Sequence, residues 1–305
     1  MKQFDVIGFG AAHWDRLHTT LEPACLGSSN PATTTSRPGG VARNVIAGLA
    51  RMGLDVGLVS IIGRDAVGDE LVDKLCAGRI DCAGLVRCDL PTACYTAVHN
   101  VDGELIIGTA DMAIYDALTV EDLRPLAAAR AAALWWFADT NLSATALQFL
   151  ATCSDRPPLA VDAVSVVKAR RLLPIIDQID LLFCNLDEAR VLAGFVDGKL
   201  ADVAGALLGK GVGAVVVSNG AEGIAFGEEG MVLNSPALRG AVVDVTGAGD
   251  ALMAGVLFAL VGDATLEAAT SYGLAAAAIA VETRGADTAM SRGDLVARLG
   301  GNATV

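Results

Sequence analysis

The segment Asp244–Ala251 is the part of the chain best suited to phosphate chemistry, because glycines and an aspartate open an apolar helix that runs to Val261. Glycines at the start of a helix let backbone amides converge on an anion, and the helix dipole adds favourable potential. Asp250, in the first turn, would lie beside a bound phosphate and accept a proton from an attacking hydroxyl group. The alternative is a glycine-rich turn in which Asp250 only stabilises the N-terminus of the helix.

A second glycine pair opens an earlier helix, in the segment Pro38–Ala47. The backbone at Gly39 and Gly40 allows a polyol to approach closely, and the amide of Asn44 can donate and accept hydrogen bonds with sugar hydroxyl groups. The motif therefore predicts a sugar-binding site. A tight turn with an exposed Asn44 is the alternative.

Two further motifs directly follow apolar strands. In Asn185–Glu188, an amide and a carboxylate at the carboxyl end of a strand could orient hydrated Mg²⁺ and phosphate oxygens. The structural alternative is that Asn185 is the N-cap of a helix and Glu188 completes a capping box. In Val215–Gly223, a strand runs into a glycine turn that could face a nucleotide, although this is also an ordinary β-turn-β pattern.

Three rival kinds of site do not fit the chain. The dinucleotide-binding fingerprint fails because Gly8-Phe9-Gly10 lacks its third glycine. Gly205–Gly211 has the wrong spacing for a phosphate-binding P-loop and lacks its final Ser or Thr. The histidines of the chain form no metal-ligand pattern. His13 and Trp14, near the end of the first strand, are candidates either for lining a ligand site or for ordinary packing.

The elements that must position these motifs alternate between apolar strand-like runs and helical stretches rich in Ala and Leu. The predicted strands are Phe4–Phe9, Val56–Ile61, Ala133–Phe137, Leu159–Val161, Leu181–Cys184 and Ala214–Val217. The predicted helices are Val41–Met52, Gly68–Ala77, Val120–Ala128, Ala144–Leu150, Val166–Leu173, Asp187–Ala193, Asp202–Leu208, Ala248–Val261 and Leu266–Ala280. This alternation predicts a doubly wound, mostly parallel sheet with helices on both faces, in one α/β domain over residues 1–305.

Two stretches break this rhythm and predict a small β lid beside the sheet. Residues 11–40 are rich in Thr, Ser, Pro and Gly without a helical period. Residues 92–109 alternate as a hairpin whose turn is Asp102-Gly103. We expect the lid to close over a substrate. Its partly exposed strands predict a homodimer in which a second subunit's lid covers them.

Composition and charge exclude several classes of protein. A hydrophobic fraction of 53% with 19% charged residues is typical of a folded chain. The 22 basic and 35 acidic residues give a net charge of −13, which argues against nucleic-acid and anionic-membrane partners. The longest uncharged apolar runs, Ala251–Val261 and Gly273–Val281, are shorter than the roughly 18 residues of a membrane span. Seven cysteines without a CxxC pair predict reduced, buried thiols in a cytoplasmic protein.

Taken in this order, the motifs resemble the ribokinase-like (PfkB) family of carbohydrate kinases. Gly39–Ala47 and Asp244–Gly255 are similar to the two signature patterns of the family, and Asn185–Glu188 is similar to its Asn-x-x-Glu motif. The similarity extends from about Phe4 to Met290, nearly the whole chain. The resemblance implies a ribokinase-like α/β fold with a β lid. It also implies transfer of the γ-phosphate of ATP to a hydroxymethyl group of a sugar or nucleoside.

The resemblance also implies roles for individual residues. Asp250 is expected to be the general base, while Asn185 and Glu188 hold Mg²⁺ and phosphates through water. The expected anion hole consists of the backbone amides of Gly247, Ala248 and Gly249. The expected substrate-binding residues are Asp15, Gly39, Gly40, Asn44, His13, Tyr95 and Asp139. The expected nucleotide-binding residues are Asn185, Ser218, Gly220 and Gly223. A loop that holds a monovalent cation in many members, K⁺ in our expectation, corresponds to Asp244, Thr246, Thr283 and Gly285.

Within the family, the finer resemblance is to pseudouridine kinases. Ser29-Asn30-Pro31 upstream of Pro38–Asn44, together with Ala110–Ile114 and Val161–Ala169, is similar to stretches that these enzymes carry. Pseudouridine, phosphorylated at its 5′-hydroxyl group, is therefore the leading substrate hypothesis. Ribose, fructose-type sugars, and adenosine or other ordinary nucleosides follow.

Three positions depart from the family pattern. His13 stands where ribokinases carry Asn, and Arg43 stands where they carry Lys-Gly. These two departures weaken a ribose assignment. Cys184 replaces the proline that is common before the Asn-x-x-Glu motif, and we expect this change to affect packing more than chemistry.

A nucleoside needs a flat apolar surface in addition to the hydroxyl partners of a sugar. His13, Trp14 and Tyr95 all lie in lid segments, where their rings could stack on a base. The alternative is that these rings only pack the lid. Two other classes of function are less well supported by the sequence: a family member that binds a nucleoside without chemistry, and an NAD-dependent oxidoreductase. Asp250 argues against the first, and the incomplete Gly8-Phe9-Gly10 pattern argues against the second.

Overall fold

Two sheets of unequal size organise the chain in the computed structural model, which describes residues 3–283, 285 and 290–300. The strands in chain order are β1 (Val6–Phe9), β2 (His13–Thr20), β3 (Ala32–Gly39), β4 (Val56–Gly63), β5 (Asp81–Cys88), β6 (Cys94–His99), β7 (Leu105–Asp111), β8 (Trp135–Asp139), β9 (Leu159–Asp162), β10 (Leu181–Asn185), β11 (Ala214–Ser218), β12 (Ile224–Glu228) and β13 (Met231–Ser235). Nine of them form the large sheet in the order β13-β12-β11-β10-β9-β8-β1-β4-β5.

The large sheet is parallel from β11 to β5, and β12 and β13 add an antiparallel edge. The helices are α1 (Val41–Arg51), α2 (Ala66–Ala77), α3 (Val120–Ala128), α4 (Ala144–Thr152), α5 (Val166–Ala169), α6 (Leu186–Ala193), α7 (Leu200–Gly209), α8 (Ala248–Val261), α9 (Leu266–Val281) and α10 (Arg292–Arg298). One hydrophobic layer contains side chains of α1, α2, α8 and α9, and the other contains those of α3, α4, α6 and α7. The predicted doubly wound α/β architecture is confirmed.

Three strands of the large sheet are not among the predicted strands: the edge strands β5 and β13, and β12 beside β13. Strand β5 consists mostly of half-buried residues, and β13 is largely exposed. An edge strand lacks a neighbour on one side, so its sequence carries fewer apolar residues than that of a central strand. Strand β12 follows the glycine turn after β11 and pairs antiparallel with it, without an intervening helix.

The helix predictions hold except near Pro174 and at the C-terminal end. The predicted helix Val166–Leu173 is wrong beyond Ala169, where the chain continues as a 3₁₀ helix over Arg170–Gln178. Pro174 lies in that segment and has no N–H group for the backbone hydrogen bond of an α-helix. Helix α10 is not among the predicted elements.

The small sheet is the predicted β lid. Its order is β3-β2-β6-β7, so residues 11–40 contribute two strands and the 92–109 hairpin contributes the other two. Strands β2 and β6 pair in parallel, while β3 and β7 pair antiparallel at either edge. Strand β3 leads directly into α1, which places the start of that helix at the base of the lid.

All seven cysteines are free in the described chain, but only Cys184 is buried. The prediction of buried thiols is therefore wrong for the other six, of which Cys25 and Cys76 are exposed. Cys76 in α2 and Cys82 in β5 lie next to each other, with 3.1 Å between their Sγ atoms. Among the helices formed by the described residues, none has the length and apolar character needed to cross a membrane.

Candidate active site

The candidate site lies where the carboxyl ends of the central strands meet the start of α8. Parallel strands bring these ends to one edge, where ligands bind in open α/β sheets. Asp162 ends β9, Asn185 ends β10 and Ser218 ends β11. Together with Asp250 they line a cavity of about 170 Å³.

The start of α8 has the geometry that its sequence predicts. Gly247 is the N-cap and has a φ of +82°, a conformation that favours glycine. A Cβ atom added at Gly249 would meet no other atom within 4 Å, so the first turn faces open space. The amide of Ala248 donates a hydrogen bond to the carbonyl of Val245 at 3.3 Å, which an anion would have to displace. Phosphate binding by this turn stays a prediction.

The side chain of Asn44 contacts the predicted general base directly. Its Nδ2 atom donates a hydrogen bond to Asp250 Oδ2 at 2.6 Å, which rules out the alternative of an exposed Asn44. The Oδ1 atom of Asn44 is buried and has no hydrogen-bond partner among the described residues. Because a buried acceptor without a partner is costly, this atom marks a place for a donor group of a ligand.

The protonation of Asp250 is tuned by its surroundings. Burial raises the pKa of Asp250 to about 7, while the hydrogen bond from Asn44 and the charge of Arg43 act to lower it. The charges of Asp139 and Asp15 act in the same direction as burial. A carboxylate whose pKa is near neutrality suits general-base catalysis at neutral pH.

Gly39 and Gly40 are required by the packing of the protein itself. A Cβ atom on Gly39 would lie 2.4 Å from Asp15 Oδ1, and one on Gly40 would lie 2.3 Å from the carbonyl oxygen of Ala11. Gly40 also has a φ of +103° as the N-cap of α1. The glycine pair therefore allows the lid, β1 and α1 to approach closely. Contact between these glycines and a sugar stays a prediction.

Asp139, at the end of β8, is fully buried and holds several segments together. Its Oδ2 atom accepts hydrogen bonds from the amides of Ala11 at 2.9 Å and Ala42 at 2.8 Å. Its Oδ1 atom accepts one from the amide of Asn141 at 2.9 Å. Asp139 thus fixes the start of α1, and with it Asn44, against the sheet. Direct contact between Asp139 and a substrate stays a prediction.

The base of the lid carries a chain of polar contacts. His13 Nε2 lies 3.2 Å from Asp15 Oδ1, and His13 Nδ1 lies 3.2 Å from the hydroxyl group of the buried Tyr115. Arg37 Nε lies 3.9 Å from Asp15 Oδ2. Tyr115 and Arg37 are not among the predicted site residues. The only sequence signal for Tyr115 is that it directly follows the stretch Ala110–Ile114.

Strand alternation separates the aromatic residues of the lid. Tyr95 is the register partner of Asp15 in the parallel pair β2–β6, and it is half-buried. Trp14, one residue before Asp15, points to the opposite face of the strand and is only 5% exposed in the core. The stacking hypothesis is therefore wrong for Trp14. It stays a prediction for His13 and Tyr95.

The motif Asn185–Glu188 forms a capping box at the start of α6. Asn185 Oδ1 accepts a hydrogen bond from the amide of Glu188 at 3.0 Å. Glu188 in turn accepts hydrogen bonds from the amide of Asn185 at 2.9 Å and from its side chain at 2.8 Å. The structural alternative is thus confirmed. It is compatible with a functional role, because both residues also line the cavity that contains Asp250.

A third carboxylate, that of Asp162, joins Glu188 and Asp250 at this cavity. Burial raises the pKa of Asp162 well above its usual value, and the charges of Glu188 and Asp250 raise it further. Burial also raises the pKa of Glu188, against the hydrogen bonds from Asn185. Mutually repelling carboxylates in a cavity with oxygen donors fit a hydrated Mg²⁺ ion. Among the described residues, no group of three or more His, Cys, Asp or Glu side chains could hold a metal ion by itself.

Three of the four predicted nucleotide-binding residues lie at or just after the end of β11. Ser218 is the register partner of Asn185 and lines the same cavity. Gly220 has a φ of +53° and open space where a Cβ atom would lie. A Cβ atom on Gly223 would lie 2.1 Å from the carbonyl oxygen of Ser235, so local packing requires that glycine. Nucleotide contacts at these positions stay predictions.

Asp244 joins the loop before α8 to the segment after α9. Its Oδ1 atom accepts a hydrogen bond from the amide of Thr246 at 2.9 Å, and its Oδ2 atom accepts one from the amide of Gly285 at 2.8 Å. Burial raises the pKa of Asp244, but these hydrogen bonds and the charge of Arg37 outweigh it and hold the pKa below its usual value. The hydroxyl group of Thr283 donates to a carbonyl in the last turn of α9 at 3.0 Å. Cation binding by these four predicted residues stays a prediction.

Comparisons with known proteins agree with this geometry. The model of the pfkB family of carbohydrate kinases matches residues 6–292. A pseudouridine kinase of Escherichia coli (strain K12) is 31% identical over 261 residues, 82% of this chain and 82% of that protein. An uncharacterized sugar kinase of the same organism is 31% identical over 259 residues, 83% of this chain and 71% of that protein.

Solved structures of carbohydrate kinases have the same fold as this chain. A carbohydrate kinase from Agrobacterium tumefaciens is 32% identical with a TM-score of 0.86, covering 98% of this chain and 97% of that one. The ribokinase of Arabidopsis thaliana, complexed with ribose and ATP, is 21% identical with a TM-score of 0.87, covering 98% and 99% of the two chains. This last similarity is one of fold. The chain therefore belongs to the pfkB family of carbohydrate kinases, phosphotransferases that act on an alcohol group of a sugar or nucleoside.

Proposed function

We propose that the protein transfers the γ-phosphate of ATP to the 5′-hydroxyl group of a nucleoside, and that this nucleoside is pseudouridine. The observation that supports the chemistry is the hydrogen bond from Asn44 to Asp250, a carboxylate with a pKa of about 7 in the first turn of α8. The similarity to a pseudouridine kinase supports the substrate.

In the proposed reaction, Asp250 accepts the proton of the substrate hydroxyl group as its oxygen attacks the γ-phosphorus of ATP. The new P–O bond forms while the bond to the β,γ-bridging oxygen breaks, and ADP leaves with the bonding electrons. Asp250 later releases the proton to water. The amides of Gly247, Ala248 and Gly249, at the positive end of the α8 dipole, stabilise the charge on the transferred group.

Mg²⁺, when bound with ATP, would neutralise charge on the phosphate oxygens. Asn185 and Glu188 would hold it through water, and Asp162 adds negative charge to the same cavity. K⁺ would order the loop between Asp244 and Gly249. The support for K⁺ is the contact of Asp244 with Thr246 and Gly285, which brings the two predicted cation-binding segments together.

The substrate would lie between α1 and the lid. Asn44 Oδ1, which is buried without a described partner, would accept a hydrogen bond from a sugar hydroxyl group, and Asp15 would accept another. His13 and Tyr95, close to Asp15 in β2 and β6, would present their rings to the base. The same hydroxyl partners would serve a free sugar. A sugar kinase is thus the second candidate, supported by the similarity to an uncharacterized sugar kinase.

We further propose a homodimer formed through the lid. Leu105 and Ile107 are both on β7, the edge strand of the lid, and are 51% and 56% exposed. Two apolar side chains at alternate positions of an unpaired edge give a second lid a surface to cover. A cytoplasmic location stays a prediction from the sequence.

A coupled assay of ADP release tests the proposed substrate over pseudouridine, uridine, cytidine, adenosine, ribose and fructose. We expect the highest kcat/KM with pseudouridine. If kcat/KM for pseudouridine does not exceed that for ribose and fructose, the nucleoside assignment is wrong and the sugar kinase takes its place. Saturable binding of a nucleoside without ADP release in any reaction would instead indicate a member of the family without catalysis.

A further inference from the structure

A second cavity, of about 340 Å³, lies between the base of the lid, α1 and α2, and we call it the basic cavity. Its charged lining consists of Arg37, Arg43, Arg51, Lys74 and Glu70. Among the described residues, the lining thus carries four positive charges and one negative charge, in a chain whose net charge is −13. The reaction proposed above uses none of the side chains of α2 that line this cavity, and of those on α1 only Arg43 acts on it, through the effect of its charge on the pKa of Asp250.

The arrangement of these cations follows from helix geometry. Arg43 and Arg51 are eight residues apart in α1, a little over two turns, so they lie on the same side of the helix. Lys74 extends from α2 on the other side of the cavity, and Arg37 extends from β3. Like charges that converge repel one another, at a cost that grows as water is excluded. An anion in the cavity would relieve that cost.

The cavity has a buried floor, which distinguishes it from a solvated basic surface. Arg43 is only 3% exposed, and Trp14, which also lines the cavity, is 5% exposed. Arg51 and Lys74 are exposed at the rim. The ammonium group of Lys74 makes no ion pair within the part of the chain that the structure describes. A planar guanidinium group at depth and cationic side chains at the rim are the donors that phosphate groups prefer in proteins.

We propose that the basic cavity is a second anion site, which binds the phosphate group of a small molecule independently of the nucleotide at α8. Two of its cations also face the reaction site. Arg37 Nε lies 3.9 Å from Asp15 Oδ2, and Arg43 directly precedes Asn44 in α1. The site is therefore separate from the catalytic groups but adjacent to them. This proposal does not depend on which acceptor the kinase phosphorylates.

Isothermal titration calorimetry on the full chain tests the proposal, with inorganic phosphate and glycerol 3-phosphate as the two probes. A saturating non-hydrolysable ATP analogue occupies the nucleotide site throughout, so that the turn before α8 does not contribute. We expect one equivalent of at least one probe to bind per chain. Tighter binding of glycerol 3-phosphate would indicate that the basic cavity binds a phosphorylated metabolite. Tighter binding of inorganic phosphate would indicate that it binds the free ion.

The decisive variant is Arg51→Gln with Lys74→Gln, because both positions are exposed and the substitutions leave the core unchanged. We expect its affinity for the probe to fall about tenfold or more, since two charge-assisted hydrogen bonds are lost. The matched control is Lys199→Gln with Lys210→Gln, which removes the same charge from exposed positions flanking α7. The control should bind as the wild type does. Single Lys74→Gln should give an intermediate affinity.

Three results would overturn the proposal: no saturable binding of either probe, equal affinity in wild type and the Arg51/Lys74 variant, or an equal loss in the control. Thermal unfolding of both double variants verifies that they are folded. The kinase proposal is judged separately by ADP release without added phosphate, in which the Arg51/Lys74 variant should match the wild type. Loss of kinase activity in Asp250→Asn and loss of probe binding in the cavity variant are therefore independent results.

Discussion

Asn44 and Asp250 are 206 residues apart in the sequence, and they form a hydrogen bond of 2.6 Å between Nδ2 and Oδ2. Burial raises the pKa of Asp250 to about 7, and the bond from Asn44 acts to lower it. Asn44 is itself held in place because Asp139 fixes the start of α1 through the amide of Ala42. One contact therefore both orients the candidate base and tunes its protonation.

Substitution of the candidate base should remove turnover without removing the fold. In Asp250→Asn we expect kcat to fall by on the order of 10²–10⁴, because the amide keeps the shape of the side chain but not its basicity. Coupled ADP release measures kcat, and calorimetry measures ATP binding, which should be retained. The control Asp187→Asn changes an exposed carboxylate on α6 and should stay active. More than about half of the wild-type kcat in Asp250→Asn would contradict the assignment.

The pH dependence of the rate should report the ionisation of Asp250. A general base works in its ionised form, so kcat/KM should fall as the pH decreases below about 7. Asn44→Ala removes a hydrogen bond that favours the ionised form of Asp250. The fall in kcat/KM on the acidic side of the pH profile should therefore begin at a higher pH. Asn234→Ala, at an exposed position of β13, is the control and should leave the pH profile of kcat/KM unchanged. An unchanged pH profile of kcat/KM in Asn44→Ala would contradict the assignment of this pH dependence to Asp250.

The same raised pKa predicts that Asp250→Asn stabilises the protein at alkaline pH. The pKa of about 7 in the folded protein exceeds the ordinary aspartate pKa of 3.8, so the ionised carboxylate opposes folding. This penalty is fully present above pH 7 and disappears as the pH falls below 3.8. Scanning calorimetry should give a higher Tm for the variant than for the wild type at about pH 8, with a smaller difference near pH 4. A lower Tm for the variant at the alkaline pH would be the contrary result.

Potassium should increase the rate if Asp244 orders a cation-binding loop. We expect faster turnover in K⁺ than in Na⁺ or a bulky organic cation at equal ionic strength. Asp244→Asn should remove the difference, because it weakens the acceptor for the amides of Thr246 and Gly285. Identical wild-type rates in the three salts would eliminate the cation site and leave the kinase activity unaffected.

Sedimentation velocity at micromolar concentration should show a dimer. Leu105→Lys with Ile107→Lys should give a monomer, because charges would replace the exposed apolar side chains of β7. Met231→Lys with Leu233→Lys makes the same change on β13, the edge of the large sheet, and should leave the dimer intact. A wild-type protein that is only monomeric would exclude pairing of the lids.

Local patterns predicted the elements that carry the site, because a central strand or a helix is encoded by neighbouring residues. Continuous apolar runs predicted six of the seven parallel strands, β1, β4 and β8 to β11, and the glycine turn predicted the start of α8. The apolar signal does not predict the edge strands β5 and β13, because exposure on one side weakens it. It also does not predict the buried strand β12, which follows β11 without an intervening helix. Asp162 was assigned no role, although its place at the end of β9 matches that of Asp139 at the end of β8.

The sequence by itself determined the α/β class, the family and the glycine turn that opens α8, because these depend on residue types at short spacings along the chain. Only the tertiary structure decided that Asn44 contacts Asp250 and that Asp162 and Glu188 face the same cavity. It also placed Trp14 in the core while Asp15 faces the site. These outcomes depend on distances between residues far apart in the chain and on which face of a strand is buried. A pattern of neighbouring residues does not contain that information.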